Sequence, residues 1–367
     1  MGRLPAAMAP IAVFLAARAD HASTALGAVL AALYALAGAI GQPLLGRVVD
    51  RSTLAAVAVP AAAVSGAAFI ALAFVDCAAQ PLAAAVLSVV AGAATPPLEA
   101  GLRAMWTRLV EPRHHHKVFA LDSASQEVVF VAGPLLATAV CLLASPDLAL
   151  VACAVAGSAG TLAVAARPPA SVRSPARAVH WLGPLRSPGL LVLLTASVFF
   201  GVTLGSFTVL ALSYADRHHE GWLAGVLPAA LSFGSLVGGA AWAKLKRPWS
   251  PSRALPAVGT MYASAFAILL LPAPSWLMIT ASVLPGLFLA PWLASAFVAC
   301  DALAPSGTAT EAAAWLIAVI GLGQATGTAT AGQFSAYGHT ATAAVPLLGA
   351  ALAATALVAG RRRLSLP

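Results

Sequence analysis

Apolar runs of about 20 residues, long enough to cross a bilayer as helices, recur along the whole chain and are separated by short polar stretches. Twelve spans are predicted: Leu4–Ala17, Thr24–Leu45, Leu54–Phe74, Pro81–Trp106, Val118–Leu143, Leu148–Ala166, Gly189–Leu212, Trp222–Ala243, Ala254–Leu271, Trp276–Leu303, Ala309–Gln333 and Thr340–Gly360. The loops are short except for one Pro/Arg/Ser-rich linker, Arg167–Pro188, which splits six spans from six. The expected fold is an all-α membrane protein. It has twelve transmembrane helices in two six-helix bundles: residues 1–166, a linker 167–188, and residues 189–367 with a short basic tail. Equal span numbers suggest internal duplication, and Pro97 in span four and Pro291 in span ten occupy matching places. Span one is short: its 14 residues reach about 21 Å, against a hydrocarbon core of about 30 Å. The expectation is a helix truncated at its start by a mistaken start codon, with a locally thinned bilayer as the alternative.

Composition supports the lipid setting. The chain of 367 residues is 60% hydrophobic and 9% charged, where a soluble domain carries about 25% charged residues. Its +8 net charge sits in short loops, which points to membrane topology rather than to nucleic acid. With both termini in the cytoplasm, the inner loops hold Arg47 and Arg51, then Arg108, Arg113 and Lys117, then Arg167, Arg173, Arg177 and Arg186, then Lys244, Lys246, Arg247 and Arg253, and the tail adds Arg361, Arg362 and Arg363. The outer loops hold only Arg18 and Arg217. That asymmetry fits the positive-inside rule for a plasma-membrane protein and for an even span count.

The loop after span two reads Gly46-Arg47-Val48-Val49-Asp50-Arg51, preceded by Gly41 and Pro43. It resembles the signature between helices two and three of the major facilitator superfamily, G-x-x-x-D-R-x-G-R-R, without the later glycine and basic pair. The six-plus-six layout with a basic linker is similar to that family too. The resemblance implies a secondary active transporter working by alternating access. It also implies that Asp50 and Arg51, at a loop opened by Gly46, tie helix two to the cytoplasmic end of helix eleven and stabilise the outward-facing state. At that start, Thr308-Ala309-Thr310-Glu311 reads as a capping box, with Thr308 accepting from the third helical N–H and Glu311 reaching back. The competing role for Glu311 is a gating contact with Arg51 or with substrate.

Ionisable groups inside spans are costly and face a cavity or one another. Span four holds Glu99 and Arg103, and span five holds Asp122, Gln126 and Glu127. Glu99 and Arg103 stand at i and i+4 and can pair along one helix; Arg103 and Asp122 can instead pair across helices. Glu127 lies ten residues into span five, about 15 Å deep, with Glu99 at nearly the same level. Two carboxylates in a desolvated place raise each other's proton affinity, which makes Glu127 the candidate proton-responsive group; the competing roles are a neutral Glu hydrogen-bonded to Gln126 or a Thr for packing, and substrate binding. Gly133-Pro134 resembles a fragment of the glycine–proline motif of efflux members, and equally a plain kink.

Other features read as structure. Gly234 with Gly238, and Gly323 with Gly327, are small-x-x-x-small pairs suited to close helix packing. Trp222 and Trp276 suit interfacial anchoring. His114-His115-His116 reads as a solvated loop, and Cys77, Cys141, Cys153 and Cys300 as small apolar residues. With no Walker motif, nucleophile–base pair or ligand set, no enzyme activity, cofactor or metal is expected. The expected partners are membrane lipid, a small-molecule substrate and protons, with no nucleic acid. Proton-coupled efflux of a small organic solute leads; uptake, or a non-transporting membrane sensor or subunit, are the alternatives.

Overall fold

The computed structural model describes residues 1–111, 114–166, 183–220, 222–244 and 249–364, so the linker's residues 167–182 lie outside the described residues. All regular structure among these is helical. The helices are α1 (Leu4–Ala19), α2 (Thr24–Arg51), α3 (Leu54–Leu72), α4 (Pro81–Ala93), α5 (Leu98–Leu109), α6 (His115–Leu143) and α7 (Pro146–Ala165), then α8 (Pro188–His218), α9 (Leu223–Ala243), α10 (Pro251–Ala267), α11 (Ser275–Leu303), α12 (Ala309–Phe334) and α13 (His339–Ala359). Among the described residues ten spans are long and apolar enough to cross a membrane, and two shorter apolar helices, Leu4–Ala19 and Ala132–Leu143, bring the set to twelve.

Local chemistry sets the boundaries. Ser23, Thr53, Ser145 and Ser187 cap α2, α3, α7 and α8, each side chain accepting from the amide three residues on. Such caps satisfy N–H groups that have no intrahelical partner. Pro81, Pro146, Pro188 and Pro251 occupy first turns, where a missing N–H costs nothing.

One prediction fails in form. Span four is not a continuous helix: it breaks between Ala93 and Leu98 into α4 and α5. Pro96 and Pro97 remove two consecutive donors, and each restricts the residue before it to extended backbone. Isolated prolines do not have this effect. Pro43, Pro60, Pro134, Pro285 and Pro291 all lie inside unbroken helices.

Contacts group the chain into two units. Unit 1 comprises residues 1–104, 128–180 and 306–318, and unit 2 comprises 105–127, 181–305 and 319–367. In unit 1, α1 packs on α2 and α7, α2 on α4, and α3 on α4 and α7. In unit 2, α8 packs on α9 and α13, α9 on α11, and α10 on α11 and α13. These five pairings coincide when span one is laid on span seven, span two on span eight, and so on. That is what an internal duplication produces.

The cores differ in side chains. Unit 1 buries an alanine-rich cluster with Met8, Val13, Leu30, Tyr34, Phe69, Leu72 and Leu150. Unit 2 buries an aromatic one, in which Phe200 stacks on Trp292 at 3.9 Å and packs on Tyr262. Glycines set the helix spacing. Gly41 and Gly92 lie against backbone of α4 and α2, and Gly234, Gly238 and Gly286 make the same contacts between α9 and α11. Gly323 and Gly327 meet the Val198 and Val202 carbonyls of α8. The small-residue pairs therefore pack helices, and Gly133 likewise lies against Ala7 of α1.

Candidate functional site

Gly46–Arg51, expected as a loop, is the helical end of α2, and it meets the start of α12 within unit 1. Gly46 makes the approach possible. A Cβ there would lie 3.1 Å from the Thr310 carbonyl oxygen and 3.2 Å from Glu311 Cα. One turn on, the Asp50 carboxylate accepts from two amides of the first turn, Thr310 N at 3.0 Å and Glu311 N at 2.8 Å. A carboxylate at a helix N-terminus answers both the unsatisfied donors and the positive end of the dipole. On the other side of Gly46, Arg47 holds Glu311 with a two-pronged guanidinium contact, Nε to Oε2 at 3.0 Å and Nη2 to Oε1 at 2.5 Å. Glu311 is 1% exposed, so its charge depends on that partner. Ala100 of α5 packs on Ala313 and Ala314, closing the far flank of the same segment. This clasp gathers residues 306–318 into unit 1 while the rest of α12 belongs to unit 2.

Two expectations are corrected here. The amide that Thr308 was to cap is taken by Asp50, because an ionised carboxylate is the stronger acceptor. Glu311 pairs with Arg47, not Arg51. Arg47 stands level with the first turn of α12, whereas Arg51 is the exposed last residue of α2, one turn further on. Arg47 was legible only as a topology charge.

Within α5, Arg103 Nη1 contacts Glu99 Oε1 at 2.5 Å. Arg103 is buried and Glu99 partly so. Asp122 is buried on α6, where its carbonyl accepts from Ser125, and Gln126 is half-buried. Glu127 falls on α6, and its side chain lies outside the described residues, as do those of His115 and His116. No group of three His, Cys, Asp or Glu able to hold a metal occurs among the described residues.

A second polar node escaped the sequence reading. At the break in span four, Gln42 Nε2 of α2 donates to the Thr95 carbonyl at 2.9 Å. Thr95 Oγ1 donates to the Ala91 carbonyl at 3.1 Å and lies 3.4 Å from the Tyr34 hydroxyl. The tandem proline was the available signal.

The Major Facilitator Superfamily model matches residues 5–328. The chain belongs to that superfamily. Its fold is also that of solved transporters. A bacterial homologue of the iron transporter ferroportin in an outward-facing state is 13% identical, with a TM-score of 0.75 over 98% of this chain and 97% of that one. The superfamily transporter FucP in the outward conformation is 14% identical, TM-score 0.71, over 99% of both chains. The human organic anion transporter MFSD10 (TETRAN) is 16% identical, TM-score 0.68, over 97% of this chain and 89% of that one. No curated protein matches the sequence. As a member of the superfamily, the chain is a multi-pass membrane protein of the secondary-transporter class.

Proposed function

We propose that this chain exports a small organic solute across the plasma membrane in exchange for protons, by alternating access of two six-helix bundles, residues 1–166 and 189–367, joined by a linker at 167–188. The clasp is the observation that carries the reading. Asp50 and Arg47 bind the first turn of α12 through contacts that exist only while that turn is docked. Such contacts stabilise one conformation at the expense of another, which a rocking transporter needs and a static membrane protein does not. The distribution of basic loops supports placing both termini and the clasp in the cytoplasm. The chain's nucleic-acid-free partner set is lipid, solute and protons.

Glu127, helped by Glu99, Asp122 and Gln126, is the proposed proton carrier, because a carboxylate at mid-depth can change protonation as its access to water changes. The test is reconstitution with an imposed proton gradient and a solute library, reading solute-dependent proton flux. Glu127→Gln mimics the protonated form and should still exchange solute between compartments while losing gradient-driven accumulation. Full gradient-driven accumulation by that variant removes Glu127 from the mechanism. Absence of proton flux with every transported solute removes proton coupling.

Uptake is the second reading. It is favoured by the likeness to the fold of FucP, whose E. coli form is a fucose:proton symporter. Flux measured in membranes of defined sidedness separates the two: solute and protons move in opposite directions for export and together for uptake.

A further inference from the structure

We infer that the end of unit 2 where α8 and α10 begin and α13 finishes binds an anionic phospholipid with a two-phosphate headgroup, straddling the last turn of α13. This goes beyond transport and needs only that this end lie at a membrane surface. Three elements bring arginine there. Arg186 ends the short helical turn Gly183–Arg186 that leads into α8, Arg253 sits in the first turn of α10, and Arg361, Arg362 and Arg363 follow α13. All five are exposed. Helix packing sets them at one level. A Cβ on Gly259 of α10 would lie 3.2 Å from Leu357 Cδ1 and 3.7 Å from Ala354 Cα of α13. Arg253 precedes Gly259 by six residues and Arg361 follows Leu357 by four, which carries them about 9 Å and 6 Å past that contact toward the same end. On the other flank, a side chain at Gly189 of α8 would run into the Arg363 carbonyl, and one at Gly360 into Val192.

The tail is seated rather than trailing. The Arg363 and Leu364 amides both donate to the Gly360 carbonyl, at 2.8 Å and 3.3 Å, and Leu364 is 1% exposed. A topology signal needs positive charge on one side of the membrane but no particular geometry. Here a buried leucine and a glycine seat hold three consecutive arginines against α8. Charge is left over. α8, α10, α13 and the tail carry no acid at this end, and Asp301, two residues before the Leu303 that meets Gly189, is the neighbouring carboxylate. Five arginines less Asp301 leave four positive charges. Among the described residues, Arg186, Arg253, Arg361 and Arg363 enter no ion pair. Spacing then selects the headgroup. α13 packs on both α8 and α10, which places Arg186 and Arg253 on different flanks of it. Packed helices lie about 8–10 Å apart, so one phosphate does not reach both flanks, whereas two phosphates joined through a glycerol do. Guanidinium groups take phosphate oxygens in paired hydrogen bonds, and basic pockets between helix ends at the bilayer surface hold such headgroups.

The test uses the full chain, purified in detergent, stripped of lipid and read by native mass spectrometry against added cardiolipin, phosphatidylglycerol and phosphatidylcholine. Cardiolipin should bind about tenfold more tightly than phosphatidylcholine, and more tightly than phosphatidylglycerol at equal phosphate. Arg186→Gln and Arg253→Gln, from the two flanks, should each weaken cardiolipin binding about fivefold, and Arg361→Gln, Arg362→Gln and Arg363→Gln together about a hundredfold. Leu364→Ser keeps every charge but unseats the tail, and should weaken binding about tenfold. Lys244→Gln removes a charge at the end of α9, outside the patch, and should change nothing. Equal binding of phosphatidylcholine or of phosphatidylglycerol overturns the inference. So does a loss from only one flank, since the headgroup then does not straddle α13. Wild-type binding by Leu364→Ser also overturns it, because loose charge would then suffice. Displacement of bound cardiolipin by inorganic pyrophosphate at equal concentration would make this a site for a soluble phosphate compound instead. None of these readings requires transport, so their failure leaves the proposed export untouched.

Discussion

The two repeats of this chain do the same things at one end and different things at the other. Between spans one and two, Asp20 reaches across to the loop between spans three and four and accepts from Cys77 N at 2.8 Å. Between spans seven and eight, Glu220 accepts from Ser275 Oγ at 2.7 Å, at the start of span ten. The helix pairs beneath, α2 with α4 and α9 with α11, both close on glycines set against backbone. Then the repeats part. Span four breaks at Pro96-Pro97, while span ten runs unbroken through Pro285 and Pro291. The end of α2 holds the first turn of α12 through Arg47 and Asp50, while α9 runs out at Ala243 and is followed by an exposed Lys244. Packing is what the repeats share. Among the described residues, which leave out 245–248 after α9, the clasp and the helix break both fall on spans two and four.

The largest expected effect tests that concentration. Asp50→Ala leaves two first-turn amides and the helix dipole unanswered, and Arg47→Ala leaves Glu311 buried without its partner. Truncating one member of a desolvated charged pair costs about 3 kcal/mol, which is about a hundredfold in an equilibrium. That cost falls on the docked conformation of α12 rather than on folding. Transport should therefore drop by about that factor at matched expression, and Lys244→Ala should leave it unchanged. Normal transport by Asp50→Ala would reduce the loop to a topology signal and erase the contrast.

Sequence reading reached the twelve spans, their all-helical character and the duplication, because hydropathy, Ser/Thr caps and prolines act locally. It also reached Gly46, Asp50 and Glu311 as one neighbourhood, through the family motif. It mispaired them. Whether Arg47 or Arg51 faces Glu311 depends on where α12 begins relative to the turns of α2, and no local pattern encodes that register. The break at Pro96-Pro97 was visible as letters but was read through, because hydropathy does not fall there. Gln42 carried no signal, since its role exists only once the Thr95 carbonyl has lost its helix.

Next in size are the shared glycines. Gly41→Leu should push α2 off Ala93, and Gly238→Leu should push α9 off Leu287, each costing about 2 kcal/mol by overpacking. Both variants should melt earlier in detergent by similar amounts. A shift in only one of them would show that the repeats do not share their packing after all.

Smaller again, and asymmetric, is the effect of proline removal. Changing Pro96 and Pro97 together to alanine restores two amide donors and lets span four close into one helix. Thermal stability should hold or rise, because the restored amides can satisfy the Gly92 and Ala93 carbonyls. Pro291→Ala should shift the melting temperature less, because it regains only one donor inside an already continuous helix. Equal shifts from the two changes would mean that the break in span four costs no more than a single proline inside a helix.

The smallest effect probes the end where the repeats agree. Asp20→Ala and Glu220→Ala each remove one carboxylate hydrogen bond between loops at a partly exposed place, and each should cost about 1 kcal/mol. The first repeat carries a built-in reporter. Burial, and then the neighbouring Asp20, push the Cys77 thiol from 9.0 up to about 12. A thiol that is protonated and buried is a poor nucleophile, so native Cys77 should resist maleimide at neutral pH. The sign of the linkage follows. The folded state holds this proton more tightly than the unfolded chain, so its contribution is intact below pH 9 and is lost as pH rises toward 12. Asp20→Ala frees the loop amide and removes a repelling charge, so Cys77 should label faster and the alkaline loss of stability should be smaller. Glu220→Ala should lower the melting temperature by the same small amount without changing Cys77 labelling. Faster Cys77 labelling in Glu220→Ala would mean that the two loop ties are not independent copies of one device.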